Sequence, residues 1–363
     1  MMSKLKKKII IASGGTGGHM FPASSLADYL KSIDYKVILT SDNRGVKYLN
    51  KSSSINTKII NSSPLNWNKF ISSILKILFS IILSFIFLIK NRPSLIIGMG
   101  GYSSFPICFS AIILRVPFII YENNILLGKA NKYLVPFAKK IFVSYKEVQG
   151  IKKNYNYKIV TVGNILRKEI LTEINKNYKK KDIEKFTILV MGGSQAAKNF
   201  AEILPPIFVQ YKKHDFDFKI IQQCLNNQTD SLKKLYDSNK LNYELFNFTF
   251  NIFDYYKISD LVITRAGSSA LAEILNYNIP IISVPLESAA DDHQLINAKY
   301  FEQKGFGLII EEKNLQKELF NLLQSIQKDK SILDQIKQNQ VKHDDRSVFK
   351  NIKEELVKIF YED

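Results

Sequence analysis

Residues 9–30, IIIASGGTGGHMFPASSLADYL, place four glycines and a histidine where a β-branched apolar run gives way to an amphipathic stretch. A second such junction, ILVMGGSQAAKNFAEIL, spans residues 188–204. Glycine after a strand admits positive φ and lets a ligand approach the main chain. The helix that follows aims its leading N–H groups and the positive end of its dipole at the same spot. Such a junction can cradle a diphosphate or stabilise a developing oxyanion. One glycine pair is often only a tight turn; two in equivalent settings, one of them carrying His19, say more. The first departs from the dinucleotide fingerprint. Counting from Gly15 and Gly17, the third glycine would fall at Met20, which disfavours a nicotinamide dehydrogenase.

His19 falls in the first helical turn, where a neutral imidazole could take a proton from a hydroxyl or could simply hydrogen-bond the turn. Glu122 follows an apolar strand in YENN; it is a candidate base, a partner to a base, a hydroxyl acceptor or a helix cap. Glu273, six residues past Gly267 in RAGSSALAEIL, is placed to accept ribose hydroxyls or to complement the helix dipole. Arg167 after GN and Arg265 before a glycine are diphosphate or structural arginines. No DxD metal signature stands at a suitable turn, ADD at 290–292 not being one, and neither metal nor organic cofactor is expected.

These residues need a frame. The first half alternates short β-branched runs with helices: strands at 7–12, 36–40, 95–97, 118–121, 141–143 and 159–162, and a helix at 23–32. The pattern indicates a parallel sheet covered on both faces. The Lys- and Asn-rich stretch RKEILTEINKNYKKKDIEKF marks a domain boundary near 165. The second half repeats the scheme, with strands at 187–191, 219–222, 261–264 and 281–284, a helix to about 209, another at 270–276, and 247–249 leading into NIFDYYKISD. The expected architecture is α/β, two Rossmann-like doubly wound domains facing a cleft: 1–164, and 165–344, with a helix within 345–363 that is a candidate to pack back on the first. Ligands in such sheets sit at the carboxyl ends of the strands, where all these glycine turns lie.

The chain has 363 residues and a formal charge of +18, a balance that favours anionic partners, although a Lys-, Ile- and Asn-heavy composition can equally reflect a biased genome. Cys108 and Cys224 form neither a disulfide framework nor a metal spacing, which suits a reducing compartment. The N-terminal MMSKLKKKIII is too short in its apolar run for a signal peptide and reads as a first strand. FISSILKILFSIILSFIFLIKNRP, residues 70–93, approaches the length of a membrane span but is interrupted by Lys76. It reads as a buried helix, as a helix lying on a membrane surface, or as a span, the last at odds with the strand SLIIGMGG that follows.

In order, GGTGGHMFPA, GMGGYSSFP, ENN…GKAN, GN..R, MGGSQAAKNF, TRAGSSALAEI and DDHQLINA resemble the MurG family from residue 9 to about 300. The resemblance implies an inverting glycosyltransferase of the GT-B type. It would move N-acetylglucosamine from UDP-N-acetylglucosamine to the 4-hydroxyl of undecaprenyl-diphosphate-linked muramyl-pentapeptide (lipid I to lipid II) in peptidoglycan synthesis. It implies peripheral docking on an anionic membrane surface, the cytoplasmic face of the inner membrane, and no nucleic-acid partner. By position, Thr16, Gly17 and Gly18 would border the diphosphate and acceptor, His19 and Glu122 would compete for or share the base role, and Asn124 would touch the donor sugar. Arg167 and Ser194 would hold the donor diphosphate or nearby groups, and Thr249 would lie where uracil is read. Ser268, Ser269, Ala270 and Leu271 would enclose diphosphate and sugar, Glu273 would take the ribose, and His293 and Gln294 the N-acetylglucosamine hydroxyls. The chain departs from the family at Tyr121 and Asn123, at Ile165 where proline is usual, and in the apolarity of 70–89. A UDP-sugar 2-epimerase of similar fold and a nucleotide-binding protein without activity are the alternatives.

Overall fold

The structure, a computed structural model, describes residues 7–49, 55–62, 70–175, 185–214, 216–287 and 289–361, without the side chains of 70, 193–197 and 290. The chain divides into two units, residues 1–168 with 345–363, and residues 169–344.

In the first unit β1 (Lys8–Ala12) carries Lys8 at its mouth and then four residues with no solvent exposure. Seven strands run parallel in the order β3-β2-β1-β4-β5-β6-β7, the others being β2 (Lys36–Ser41), β3 (Asn56–Ile59), β4 (Leu95–Gly98), β5 (Phe118–Glu122), β6 (Lys140–Val143) and β7 (Ile159–Thr161). Successive side chains of a strand face opposite ways, so both faces of this sheet must be covered. Ile9, Ile11, Leu95, Ile97 and Ile119 pack under α1 (Gly17–Ser32). Ile10, Ile96, Phe118 and Ile120 pack under α2 (Phe70–Asn91), α3 (Phe105–Leu114) and α4 (Lys129–Leu134). After the second unit, beginning with α5 (Lys168–Asn175), the chain returns as α13 (Val348–Tyr361). Val348, Ile352, Leu356 and Ile359, at helical spacing, complete the α1 face, and Phe349 stacks on Tyr29 with centroids 4.5 Å apart.

The second unit repeats the plan with the order β10-β9-β8-β11-β12-β13, all parallel. Its strands are β8 (Phe186–Met191), β9 (Phe218–Gln223), β10 (Asn242–Phe246), β11 (Leu261–Thr264), β12 (Ile281–Ser283) and β13 (Leu308–Ile309). The site-bearing helices are α6 (Gly193–Lys212), α9 (Ser268–Asn276) and α10 (His293–Gln303); α7 (Thr229–Ser238), α8 (Ile252–Tyr256), α11 (Leu315–Lys328) and α12 (Ser331–Gln340) complete the unit. Strand order reverses between β1 and β4 and again between β8 and β11, which puts a ligand crevice at the carboxyl end of each pair.

The structure departs from expectation in several elements. Helix α1 starts at Gly17, six residues before the expected 23, because the glycines themselves take helical dihedrals. Strand β10 precedes 247–249, and β3 and β13 carry too little apolar pattern to be read. The buried-helix reading of 70–89 fails. Helix α2 is inverted: Ser73, Ser80, Ser84 and Leu88 face the protein, while Ile71, Leu75, Leu78, Phe79, Ile82, Ile86 and Ile89 face out. Ser80 lies 2.5 Å from the Asn61 carbonyl, and the Ser110 hydroxyl of α3 lies 3.0 Å from the Ile81 carbonyl, so small polar residues let α2 approach its neighbours. At 22 residues α2 is long and apolar enough to cross a membrane by length and composition. It is nevertheless the crossover from β3 to β4 within one sheet, so leaving that layer would break the sheet's connection.

Candidate functional site

Thr16 is the extended N-cap residue of α1, and Gly17, Gly18 and His19 form its first turn. The amides of such a turn have no intrahelical acceptors. The His19 amide turns back to the Thr16 carbonyl at 3.2 Å. The His19 ring lies against the glycine turn after β4: a Cβ on Gly100 would meet Cε1 at 3.4 Å, and one on Gly101 would meet Cδ2 at 3.6 Å. Both glycines hold φ near +80° (83° and 73°), so a side chain there would strain the turn and push the imidazole. The two glycine turns at the switch point therefore meet through one histidine ring.

Glu122, at the end of β5, is 3 % exposed and its carboxylate is fully engaged. Oε1 accepts from the Asn124 amide and side chain at 3.1 and 2.9 Å, and Oε2 from the Gly128 amide and Asn131 Nδ2, both at 2.9 Å. It organises the loop from 123 to 131, from which Asn123 Nδ2 reaches the Gly18 carbonyl at 3.5 Å. The amide oxygen of buried Asn131 has no hydrogen-bond partner among the described residues. Tyr121 lies 3.0 Å from Ser144 Oγ, and its hydroxyl accepts from the Ile165 amide at 3.0 Å. Burial first, then the charges of Asp345 and Glu122, push this phenol far up despite those bonds. Tyr121 thus anchors the segment after β7 that carries Arg167, whose guanidinium covers the Phe21 ring at 4.6 Å. Asp345 closes the same segment, accepting from the Asn164 amide and side chain at 2.8 and 3.0 Å.

Sequence reasoning missed Asp42, at the end of β2. Its Oδ1 accepts from the Gly15 and Gly45 amides at 2.9 and 2.8 Å, and its Oδ2 from Arg44 and Ser103. Burial works to raise this carboxyl, but the two amides, Arg44 and Ser103 outweigh it and hold it below the usual aspartate range. A carboxylate directly after a strand, in SDNRG, was the available signal.

In the second unit Gly192 precedes α6 and Gly267 caps α9, so two helix starts stand at the carboxyl ends of the paired strands β8 and β11. Ser194 lies in the first turn of α6, and its side chain is outside the described residues. Ser268, Ser269 and Ala270 form the first turn of α9; the Leu271 amide returns to Gly267 at 3.0 Å. Nothing within 4 Å would meet a Cβ on Gly267, so that turn is open. Glu273 is buried and lies 3.3 Å from the Tyr256 hydroxyl. His293 opens α10, Gln294 accepts from the Leu286 amide at 3.0 Å, and Asn297 ties α10 to the Ala266 carbonyl beside α9 at 3.1 Å. Thr249 accepts from the Asn251 amide at 2.9 Å, between exposed Phe248 and Phe250. Arg265 is structural: it pairs with Glu312 at 2.5 Å and covers Phe200. Among the described residues no group of three or more His, Cys, Asp or Glu side chains is arranged to hold a metal.

Of the expected site residues, Thr16, Gly17, Gly18, His19, Glu122, Asn124 and Arg167 belong to one unit, and Ser194, Thr249, Ser268–Leu271, Glu273, His293 and Gln294 to the other. The glycosyltransferase family 28 N-terminal domain matches residues 9–143, and the corresponding C-terminal domain residues 187–356. A UDP-N-acetylglucosamine--N-acetylmuramyl-(pentapeptide) pyrophosphoryl-undecaprenol N-acetylglucosamine transferase of Rickettsia felis is 38% identical over 345 residues, covering 93% of this chain and 95% of the relative. The transferase of the same description from Pelagibacter ubique is 35% identical over 325 residues, covering 89% and 90%. The crystal structure of Acinetobacter baumannii MurG superposes with a TM-score of 0.76 at 24% identity, covering 97% of this chain and 99% of that one, a likeness of fold.

Proposed function

The chain belongs to the MurG family of glycosyltransferases, and from that premise we propose how its residues move N-acetylglucosamine from UDP-N-acetylglucosamine to the 4-hydroxyl of the lipid-linked muramyl-pentapeptide. His19 takes the proton of that hydroxyl as the oxygen attacks the anomeric carbon from the face opposite UDP. The new glycosidic bond forms, the bond to the diphosphate breaks, and the configuration inverts. UDP leaves with the electron pair, and its charge is met by helix starts in the second unit, at α6 and at Ser268–Leu271 of α9. Glu273 takes the ribose hydroxyls, Thr249 lies at the uracil, and His293 and Gln294 take the sugar hydroxyls.

The single observation that carries the base assignment is the His19 ring held on Gly100 and Gly101 at the switch point, while the oxygens of Glu122 are already engaged by four donors. A base must reach its proton, and a saturated buried carboxylate is poorly placed to do so. Glu122 acts instead by fixing the loop that bears Asn124.

The acceptor's lipid stays in a bilayer, and the outward apolar face of α2, extended by Phe109 and Ile113 of α3, suits a helix lying in an anionic membrane surface. Lys76, Lys90 and Arg92 supply the attraction to acidic lipid. The decisive experiment incubates the protein with UDP-N-acetylglucosamine and a lipid I analogue and measures UDP release. His19→Ala should lower kcat by about 10²–10⁴ with little change in the donor KM. Full activity in that variant would remove His19 as base, and conversion of the donor without any acceptor would indicate an epimerase.

A further inference from the structure

Helix α8 is five residues long, too short to hold itself, and its end is fixed from three directions. The Tyr255 ring lies on Phe246 of β10 with centroids 4.7 Å apart. The Lys257 ammonium, just past the helix, meets Glu173 of α5 at 2.7 Å. Tyr256, between these two in sequence, is buried against α9. Its ring packs on Tyr277 with centroids 5.3 Å apart, and its hydroxyl donates to Glu273 Oε2 at 3.3 Å. Glu273 and Tyr277, the residue that ends α9, are four apart and share a face, which one tyrosine side chain spans.

The other end of α8 is the loop that carries Thr249. The Thr249 hydroxyl accepts from the Asn251 amide at 2.9 Å, and the Asn251 carbonyl accepts from the Asp254 amide at 3.1 Å, so the loop runs directly into the helix. At about 1.5 Å per residue, the rise from the Asn251 cap to Tyr256 is only about 7.5 Å. A short rod therefore joins the loop assigned to the uracil to the side chain that touches the carboxylate assigned to the ribose.

A glutamate carries its carboxylate on three rotatable torsions, and freezing them only when a ligand arrives weakens affinity by about tenfold. A phenol on a wedged ring has far less freedom to lose. We propose that Tyr256 is a positioning residue for the donor: it presets the Glu273 carboxylate for the ribose hydroxyls and so sets a preference for ribonucleotide over deoxynucleotide donors. The proposal rests on the ribose assignment of Glu273 above. A carboxylate offers about four lone-pair sites, so an oxygen that takes the phenol hydrogen keeps capacity for a sugar hydroxyl. A nucleotide that lacks those hydroxyls gains nothing from the preset group.

The probes are UDP and 2′,3′-dideoxyuridine diphosphate, titrated calorimetrically into the full chain in non-ionic detergent. The protein should bind UDP about 10–100-fold more tightly, and Glu273→Ala should bring the two affinities together. Tyr256→Phe keeps the ring on Tyr277 and removes only the hydroxyl. It should weaken UDP about five- to tenfold and leave the dideoxy nucleotide unchanged, with the donor KM raised similarly and kcat at saturating donor kept. The dideoxy nucleotide thus also reports that the variant is folded. Equal weakening of both nucleotides would make Tyr256 merely structural and overturn the proposal, as would an unchanged UDP affinity. If Glu273→Ala collapses the preference and Tyr256→Phe does not, the ribose assignment stands and the positioning role falls. If Glu273→Ala retains the preference, the ribose assignment itself falls and takes the positioning role with it.

Discussion

Replacing Leu75, Ile82 and Ile86 together by serine should detach the protein from membranes without unfolding it. Full burial of such a side chain is worth about 1.5–3 kcal/mol. These three are 61%, 56% and 44% exposed, so only about half of that is still available to a bilayer. Each should contribute about 1 kcal/mol on insertion, and the set about 3 kcal/mol, which is roughly a hundredfold in vesicle partition. The same exposure means that the substitutions remove little from the folded core, and exposed sites of this kind shift stability by about 0.5 kcal/mol or less. Co-sedimentation with phosphatidylglycerol-containing vesicles, repeated at high salt, measures the partition and separates the apolar part from the screened contribution of the lysines. Thermal denaturation measures the fold. Unchanged sedimentation with a fallen melting temperature would show that this face packs against protein, and the membrane argument would be wrong.

Glu122→Gln should lower stability by about 1–3 kcal/mol, because an amide NH₂ must then face two of the four donors the carboxylate accepts from. A loss of kcat with an unchanged melting curve would return the base role to Glu122. Glu273→Ala should raise the KM for UDP-N-acetylglucosamine more than it lowers kcat at saturating donor; a normal donor affinity would refute the ribose assignment. Asp42 is held below its ordinary value of 3.8 by the Gly15 and Gly45 amides, Arg44 and Ser103, against the opposing effect of burial. A carboxyl depressed in the folded state stabilises above its unfolded pKa and loses that contribution as pH falls through the folded one. The deficit of Asp42→Asn in urea unfolding, about 1–3 kcal/mol at pH 7, should therefore shrink below about pH 4. A deficit constant with pH would show that the charge of Asp42 contributes nothing.

Much of the frame was legible in the residues. Strand β11 is expected at 261–264 and is found there, since three apolar residues and the β-branched Thr264, bounded by Asp260 and Arg265, mark one short run. The start of α1 was not legible, because Gly17 and Gly18 are poor helix formers, yet in the fold they form its first turn with the His19 ring against the second glycine turn. The roles of Tyr121, Asp42 and Asp345 were hidden for a different reason: each bonds to backbone far away in sequence.

The sequence by itself determined two parallel α/β sheets, glycine turns at their carboxyl ends and the family to which the chain belongs. Those follow from local pattern, because β-branched runs, turn glycines and their order need no partner to be recognised. Only the tertiary structure decided which face of α2 looks outward, that four donors occupy Glu122, and that the last helix closes the first unit. An all-apolar helix with a serine stripe reads the same whichever side is buried, and a carboxylate reads the same whether empty or engaged. The difference lies in neighbours that the fold brings from elsewhere in the chain.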